Sequence, residues 1–431
     1  MKKVLVAGAA LLIAGSMVSA AYAEVNLSGD ARARYVGKAD YKAKFTANPN
    51  GTFSENTNGY DDSFNSRIRV KFDAKANGGA FMKARLRFDD FTWDGQGWGA
   101  HTETKNVWAD YAYIGVPTGA VTWSAGRMPA DFSKWFSYDG RPTRVKADWK
   151  SAGGFRLIGL IDVIDESSNS LDDWDDNDFM GYGLVAATKF GDWGVKAYAR
   201  YHDDGRAYDS ITESVPLQTS LDPAFGQREF QTQPTLNTEF IRPGHRDRSG
   251  FLGAISTSGK IANFGIDADI AYKEADVQGT ADDGWGWTID GSMDLGPFSP
   301  HLVIGGTYDG YLADDDFGFI MVGAAEPITK IARVGNIGGD SHFIGLVGRY
   351  ALSDQFKFAG NLVYYDYDVD AADRIADALE ISGSATYVIS EGADFTYKLG
   401  WLSPSYDGRL NALGVTDDGV FGHYLRLAIK F

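Results

Sequence analysis

The residues with chemistry to offer are basic, and they recur at alternate positions. Arg32 and Arg34 stand two apart, as do Arg67, Arg69 and Lys71, and then Lys83, Arg85 and Arg87. Asp30, Asp73 and Asp89 fall in the same three alternations. A period of two is strand spacing, so each set shares one face of a strand. The residues between are apolar or small: Ala31, Ala33 and Tyr35, then Ile68, Val70 and Phe72, then Met82, Ala84, Leu86 and Phe88. Three such strands side by side would raise a column of guanidinium and ammonium groups on one wall. A column of that kind makes and breaks no bonds; it sets a field that attracts one sign of ion. The plainer reading is a set of solvated charges paired with the three aspartates.

Covalent chemistry finds little support. The six histidines (His101, His202, His245, His301, His342 and His423) are scattered without metal-ligand spacing, and the chain has no cysteine. No Gly-x-Ser-x-Gly elbow and no phosphate-binding loop is present. Acids cluster at Asp172, Asp173, Asp175, Asp176 and Asp178, at 314–316, and at Asp366, Asp368, Asp370 and Asp373. Clustered carboxylates can bind calcium, but the EF-hand spacing is missing and solvated loops are the expectation. With a formal net charge of −17, the chain is not a nucleic-acid binder. The expectation is a protein that is not an enzyme and holds no cofactor and no metal.

The elements that would carry the basic column come next. The last stretch alternates to the final residue: Phe421, His423, Leu425, Leu427, Ile429 and Phe431 on one face, Gly422, Tyr424, Arg426, Ala428 and Lys430 on the other. A bare apolar edge strand at the end of a soluble sandwich invites aggregation, whereas a closed barrel pairs both edges. In a membrane barrel the apolar face meets lipid and the polar face meets water inside. Turning the arginines towards lipid would cost ~2–4 kcal/mol each at the midplane, which forces them inward. The chain opens with Met1-Lys2-Lys3, an apolar core and Ala21-Tyr22-Ala23, the pattern of a secretory signal peptide over residues 1–23 cleaved after Ala23. That core is too short to span a bilayer of about 30 Å, and no later run approaches the ~20 apolar residues a helix needs. Yet hydrophobic residues make up 44% and aromatics 14%, too apolar for a disordered chain.

The same two-faced pattern continues, with tight turns alternating with long polar loops. Tight turns are expected at 76–79, 117–119, 151–154, 191–192, 258–260, 296–299, 353–355 and 390–392. Long loops are expected at 37–62, 166–178, 203–248, 309–340 and 403–419. Short turns on one rim and long loops on the other are the habit of outer-membrane barrels. The count is about eighteen strands, with sixteen as the alternative because 143–164 is ambiguous. Aromatics near strand ends (Trp108, Tyr111 and Tyr113; Trp193 and Tyr201; Phe356, Tyr364, Tyr365 and Tyr367) suggest interfacial girdles. Further inward acids are expected at Asp267, Asp269, Asp290 and Glu380, facing the basic wall across the opening. The fold class is therefore all-β: a transmembrane, antiparallel, up-and-down barrel forming one domain over residues 24–431.

Residues 110–127 read DYAYIGVPTGAVTWSAGR, and this hairpin resembles the one before the constriction loop of general bacterial porins. The SRIRVKF stretch from Ser66 and the terminal Phe431 fit the same family. The acidic exterior resembles the homotrimeric outer-membrane porins of sulfate-reducing bacteria. The resemblance implies a water-filled channel in the bacterial outer membrane for passive diffusion of small hydrophilic solutes and ions. It implies a homotrimer surrounded by outer-membrane lipid, and Phe431 as the signal read by the barrel assembly machinery. It also implies that the loop after the Gly-Arg strand folds inward as a constriction, here with Arg127, Asp131, Lys134, Asp139 and Arg141. Two acids beside three bases make the loop less acidic than is usual in the family. A channel selective for a carboxylate or sugar, and a non-conducting surface or adhesion barrel, are the rival readings.

Overall fold

The computed structural model describes residues 24–39, 45–47, 53–55, 60–93, 107–133, 140–165, 178–205, 247–278, 282–311, 313, 318–322, 334, 339–369, 375–406 and 419–431. Residues 1–23, Lys134, Asp139 and most of the acidic loop clusters lie outside these residues. In chain order the strands are β1 (Glu24–Ala39), β2 (Phe45–Ala47), β3 (Phe53–Glu55), β4 (Tyr60–Lys75) and β5 (Phe81–Trp93). Next come β6 (Val107–Thr118), β7 (Val121–Arg127), β8 (Thr143–Lys150), β9 (Arg156–Asp165) and β10 (Phe179–Phe190). They are followed by β11 (Trp193–Asp204), β12 (Gly250–Ile261), β13 (Phe264–Lys273), β14 (Gly284–Met293) and β15 (Phe298–Tyr308). The last five are β16 (Gly339–Ala351), β17 (Phe356–Val369), β18 (Ile375–Ser390), β19 (Ala393–Tyr406) and β20 (Val420–Lys430).

Eighteen of these pair antiparallel with their sequence neighbours, and β1 pairs with both β4 and β20, which closes the sheet into a barrel. The ambiguous stretch 143–164 is two strands, β8 and β9, so the count is eighteen and not sixteen. The hairpin β2–β3 stands apart within the first long loop. Closure is sealed by the last residue. Gly29 donates to the Phe431 carbonyl at 2.7 Å and accepts from its N–H at 3.1 Å. The Phe431 ring covers Gly29 on the outer face, where a Cβ would stand 2.5 Å from the ring. An aromatic ring over a strand glycine shields backbone that has no side chain of its own.

The outward face is an apolar band: Leu27, Ile68, Ile161, Leu184, Ile255, Ile289, Leu346, Leu362, Ile381, Leu427 and Ile429 are all exposed. In a soluble protein that surface would be untenable; in a bilayer it is the lipid contact. Four expectations need correction. The β12–β13 turn is Ala262-Asn263, with Ala262 at φ 56°, and not 258–260, because Ser258 and Lys260 stay in the ladder. Asp366 and Asp368 belong to β17 and not to a loop. Trp108, Tyr111, Tyr365 and Tyr367 face the interior and join no lipid girdle. The region 309–340 is not wholly an outer loop, because Tyr311, Phe319, Met321, Val322 and Val334 are buried in one cluster with inward residues of β13 and β15–β20.

Candidate functional site

The interior of the barrel is the candidate site, and strand parity positions its side chains. Cross-strand register sets Arg32 beside Arg67, Asp30 beside Arg69, Arg69 beside Arg87, and Lys71 beside Arg85. These residues therefore line one continuous wall built by β1, β4 and β5. Asp30 holds Arg69 through both carboxylate oxygens, at 2.8 and 3.1 Å from Nε. Asp73 holds Lys83 at 3.4 Å. Beyond β5 the basic wall continues with Arg144, Lys146, Arg156, Lys196 and Arg200, and across the closure with Lys398 and Arg426.

Asp110 organises the centre of this wall. Arg85 pairs with Tyr111 and Leu86 with Ala109, so Asp110 is the extra residue of a β-bulge. The bulge turns Asp110 inward, where it is buried among three guanidiniums. Arg87 lies 3.2 Å away, Arg141 lies 2.9 Å away, and Arg85 is in direct contact. Arg85 also covers the Tyr111 ring at 4.8 Å and Arg87 the Trp108 ring at 5.5 Å. A second buried cluster follows the same logic. Asp162 accepts hydrogen bonds from Nε and Nη2 of Arg144 at 2.6 and 2.9 Å and forms an ion pair with Nη2 of Arg200 at 3.0 Å. In both clusters guanidinium charge exceeds carboxylate charge, so each carries a net positive field.

The first inward loop spans the lumen from this wall. Its two limbs pair at the neck, Met128 N–H to Pro142 and Ala130 N–H to Gly140, each at 3.2 Å. From there Phe132 reaches the opposite wall, with its ring 5.6 Å from that of Tyr198 and its carbonyl accepting from Lys196 Nζ. Asp269 on β13 accepts from the Ser133 hydroxyl. These contacts lie four and six strands round from β7, so the segment cuts across the interior and does not follow the wall. Arg141 ties the returning limb to Asp110. Asp131 is exposed on the loop, whereas Arg127 falls in the outward register of Trp123, away from the cluster. Lys134 and Asp139 lie outside the described residues.

The second inward segment covers β16–β19, five to eight strands round the closure from β6 and adjoining the Lys398–Arg426 end of the basic wall. Phe319 packs on Phe343 at 5.5 Å and Tyr365 at 6.4 Å, and Tyr311 lies under Lys273 Nζ at 4.7 Å. Met321 and Val322 sit over Val363, Ala378, Leu402 and Tyr424 in one buried cluster. Glu380, expected as an open inward acid, is instead fully covered there, and Asp290 is paired with His301 at 2.8 Å. The acidic wall is correspondingly thin.

Sequence reasoning missed Asp110, the Arg144–Asp162–Arg200 cluster and the second inward segment. The bulge leaves no mark in a two-residue period. The segment did leave one: β16 and β17 are apolar on both faces at Phe343-Ile344 and Leu362-Val363-Tyr364-Tyr365, which is the pattern of strands buried on both sides.

Residues 7–403 match the family model described as Gram-negative porin. The chain belongs to that family. Among solved structures, Pseudomonas aeruginosa OpdO shares 11% identity at a TM-score of 0.57, with 95% of this chain and 97% of that one covered. Pseudomonas aeruginosa OpdQ shares 10% at 0.55, covering 94% and 98%, and a BenF-like porin from Pseudomonas fluorescens Pf-5 shares 10% at 0.54, covering 95% and 98%. At these identities the likeness is one of fold. No curated protein matches the sequence. The porin is a bacterial outer-membrane protein, and its barrel is a water-filled channel for passive diffusion of small hydrophilic solutes. Its family and fold are those of channels and not of enzymes.

Proposed function

We propose that this porin passes small ions with a preference for anions, set where the first inward loop meets the basic wall. The observation that carries the reading is Asp110, one carboxylate shared by the guanidiniums of Arg85, Arg87 and Arg141. That arrangement leaves excess positive charge at the foot of the loop. Most of the acids that make the whole chain negative fall between the strands in the sequence, and screening over ~8 Å at physiological salt weakens the reach into the pore of charges outside the barrel. Arg32, Arg34, Arg67, Arg69, Lys71, Arg85 and Arg87 are the pore-lining residues of this reading, with the 128–142 loop as the constriction. The test is the zero-current potential of purified protein in planar bilayers under a KCl gradient. An anion-directed potential supports the reading and a cation-directed one refutes it.

A channel selective for a carboxylate is favoured by one feature. A cavity of about 70 Å³ lies between Asp131 and Phe132 of the loop and Arg144, Tyr198, Lys273 and Tyr311 of the wall and second segment. Saturable block of the current by one solute class would distinguish that channel from a general pore. The export of the chain through cleavage after Ala23, its trimeric state and the recognition of Phe431 by the assembly machinery belong to the same proposal. They rest on the leader pattern, the family and the terminal strand.

A further inference from the structure

The second inward segment is seated by a built socket. Glu380 lies on the inner face of β18 with no exposure to solvent. Its Oε1 accepts from Met321 N–H at 3.0 Å, and the Val322 N–H also donates to this carboxylate. The Tyr365 hydroxyl donates to Oε2 at 2.8 Å and the Ser382 hydroxyl to Oε1. A carboxylate buried in an apolar cluster is costly unless such donors satisfy it, and here two of them are backbone amides of the inserted segment. Two glycines of the wall complete the socket. A Cβ at Gly400 would stand 2.5 Å from Met321 Sδ, and one at Gly345 would stand 2.8 Å from the Phe319 ring. Each glycine leaves the space that one side chain of the segment fills.

We propose that Glu380 is a positioning residue that fixes the 318–322 segment inside the lumen and so confines the water path to the basic side of the barrel. The carboxylate touches no permeating solute. It acts through the segment, whose burial over β16–β19 removes that side of the interior from the water path. The consequence is that every solute is carried past Asp110 and its arginines. The proposal rests on the channel being open and not on its ion preference.

The experiment is single-channel recording of Glu380→Leu and Glu380→Gln beside wild type. Gln keeps an acceptor oxygen for the two amides and should conduct as wild type. Leu removes it, and conductance should rise on the order of 1.5-fold as the segment leaves the wall and the open cross-section grows. The chain has no cysteine, so a bridge engineered by Met321→Cys and Gly400→Cys in the Leu background is unambiguous. Oxidation should restore the wild-type conductance and dithiothreitol should raise it again. Where E380L does not reach the heat-modifiable folded form, Glu380→Asp withdraws the carboxylate by one methylene and should give the same increase. Folded E380L or E380D at wild-type conductance, with no response to reduction of the bridge, would overturn the proposal. A wild type that passes no current would overturn the channel itself.

Discussion

Reversal of charge on the basic wall is the sharpest perturbation the structure offers. Arg67→Glu with Arg85→Glu changes two inward positions, while Arg87 and Arg141 still hold Asp110. Each substitution takes the wall from one positive to one negative charge. At about 8 Å a unit charge acts on a permeating ion with about 0.5 kcal/mol in water. Screening at physiological salt leaves roughly a third of that. The two reversals together therefore move each ion by about 0.8 kcal/mol, in opposite directions for cation and anion. The resulting difference of ~1.5 kcal/mol is about tenfold in the permeability ratio. The assay is the zero-current potential in planar bilayers under a KCl gradient, with folded protein verified by heat modifiability. The variant should move strongly towards cations, and the movement should shrink as salt rises. A potential that does not move in the folded variant would show that this wall does not set ion preference.

Further predictions follow from the same contacts. Asp162→Ala strands Arg144 and Arg200, of which Arg200 is fully buried, and should cost about 3–5 kcal/mol; the temperature at which the folded band converts on a gel should fall markedly. Gly29→Val places a branched side chain where the Phe431 ring and the Arg69 carbonyl already stand, so the folded yield in outer membranes should drop, and Phe431→Asp should lower it likewise. Normal folded yield for both would show that the β1–β20 seam does not govern assembly. Deletion of residues 130–138 removes the Phe132 and Ser133 contacts to the far wall and should raise conductance while the barrel still folds.

The barrel was legible in the sequence wherever one face met lipid and the other met water. Ile68, Val70 and Phe72 against Arg67, Arg69 and Lys71 fix a strand, its register and its direction at once, because a slip of one residue would put arginine into lipid. The site was legible only as far as that rule reaches. It brought Arg32, Arg67, Arg69, Arg85 and Arg87 to one wall, yet could not show that Asp110 leaves its parity through a bulge. Parity does put Arg127 on the outward face with Trp123, and only the resemblance made it a constriction residue. The 309–340 region reads as a loop because it lacks strand alternation and carries the Asp314 to Asp316 run, although 15 of its 32 residues are apolar; the partners of Phe319, Met321 and Val322 lie on later strands that periodicity does not point to. Glu380 likewise resembles any inward acid until the amides of Met321 and Val322 are seen above it.

The central claim is an open aqueous path through a barrel whose interior is divided between a basic wall and a seated apolar segment. Single-channel recording of the purified, folded protein in planar bilayers tests it most directly. Discrete, ohmic conductance steps with an anion-directed reversal potential are the predicted result. Bilayers that stay silent with heat-modifiable protein present would contradict it and would instead favour a non-conducting surface barrel.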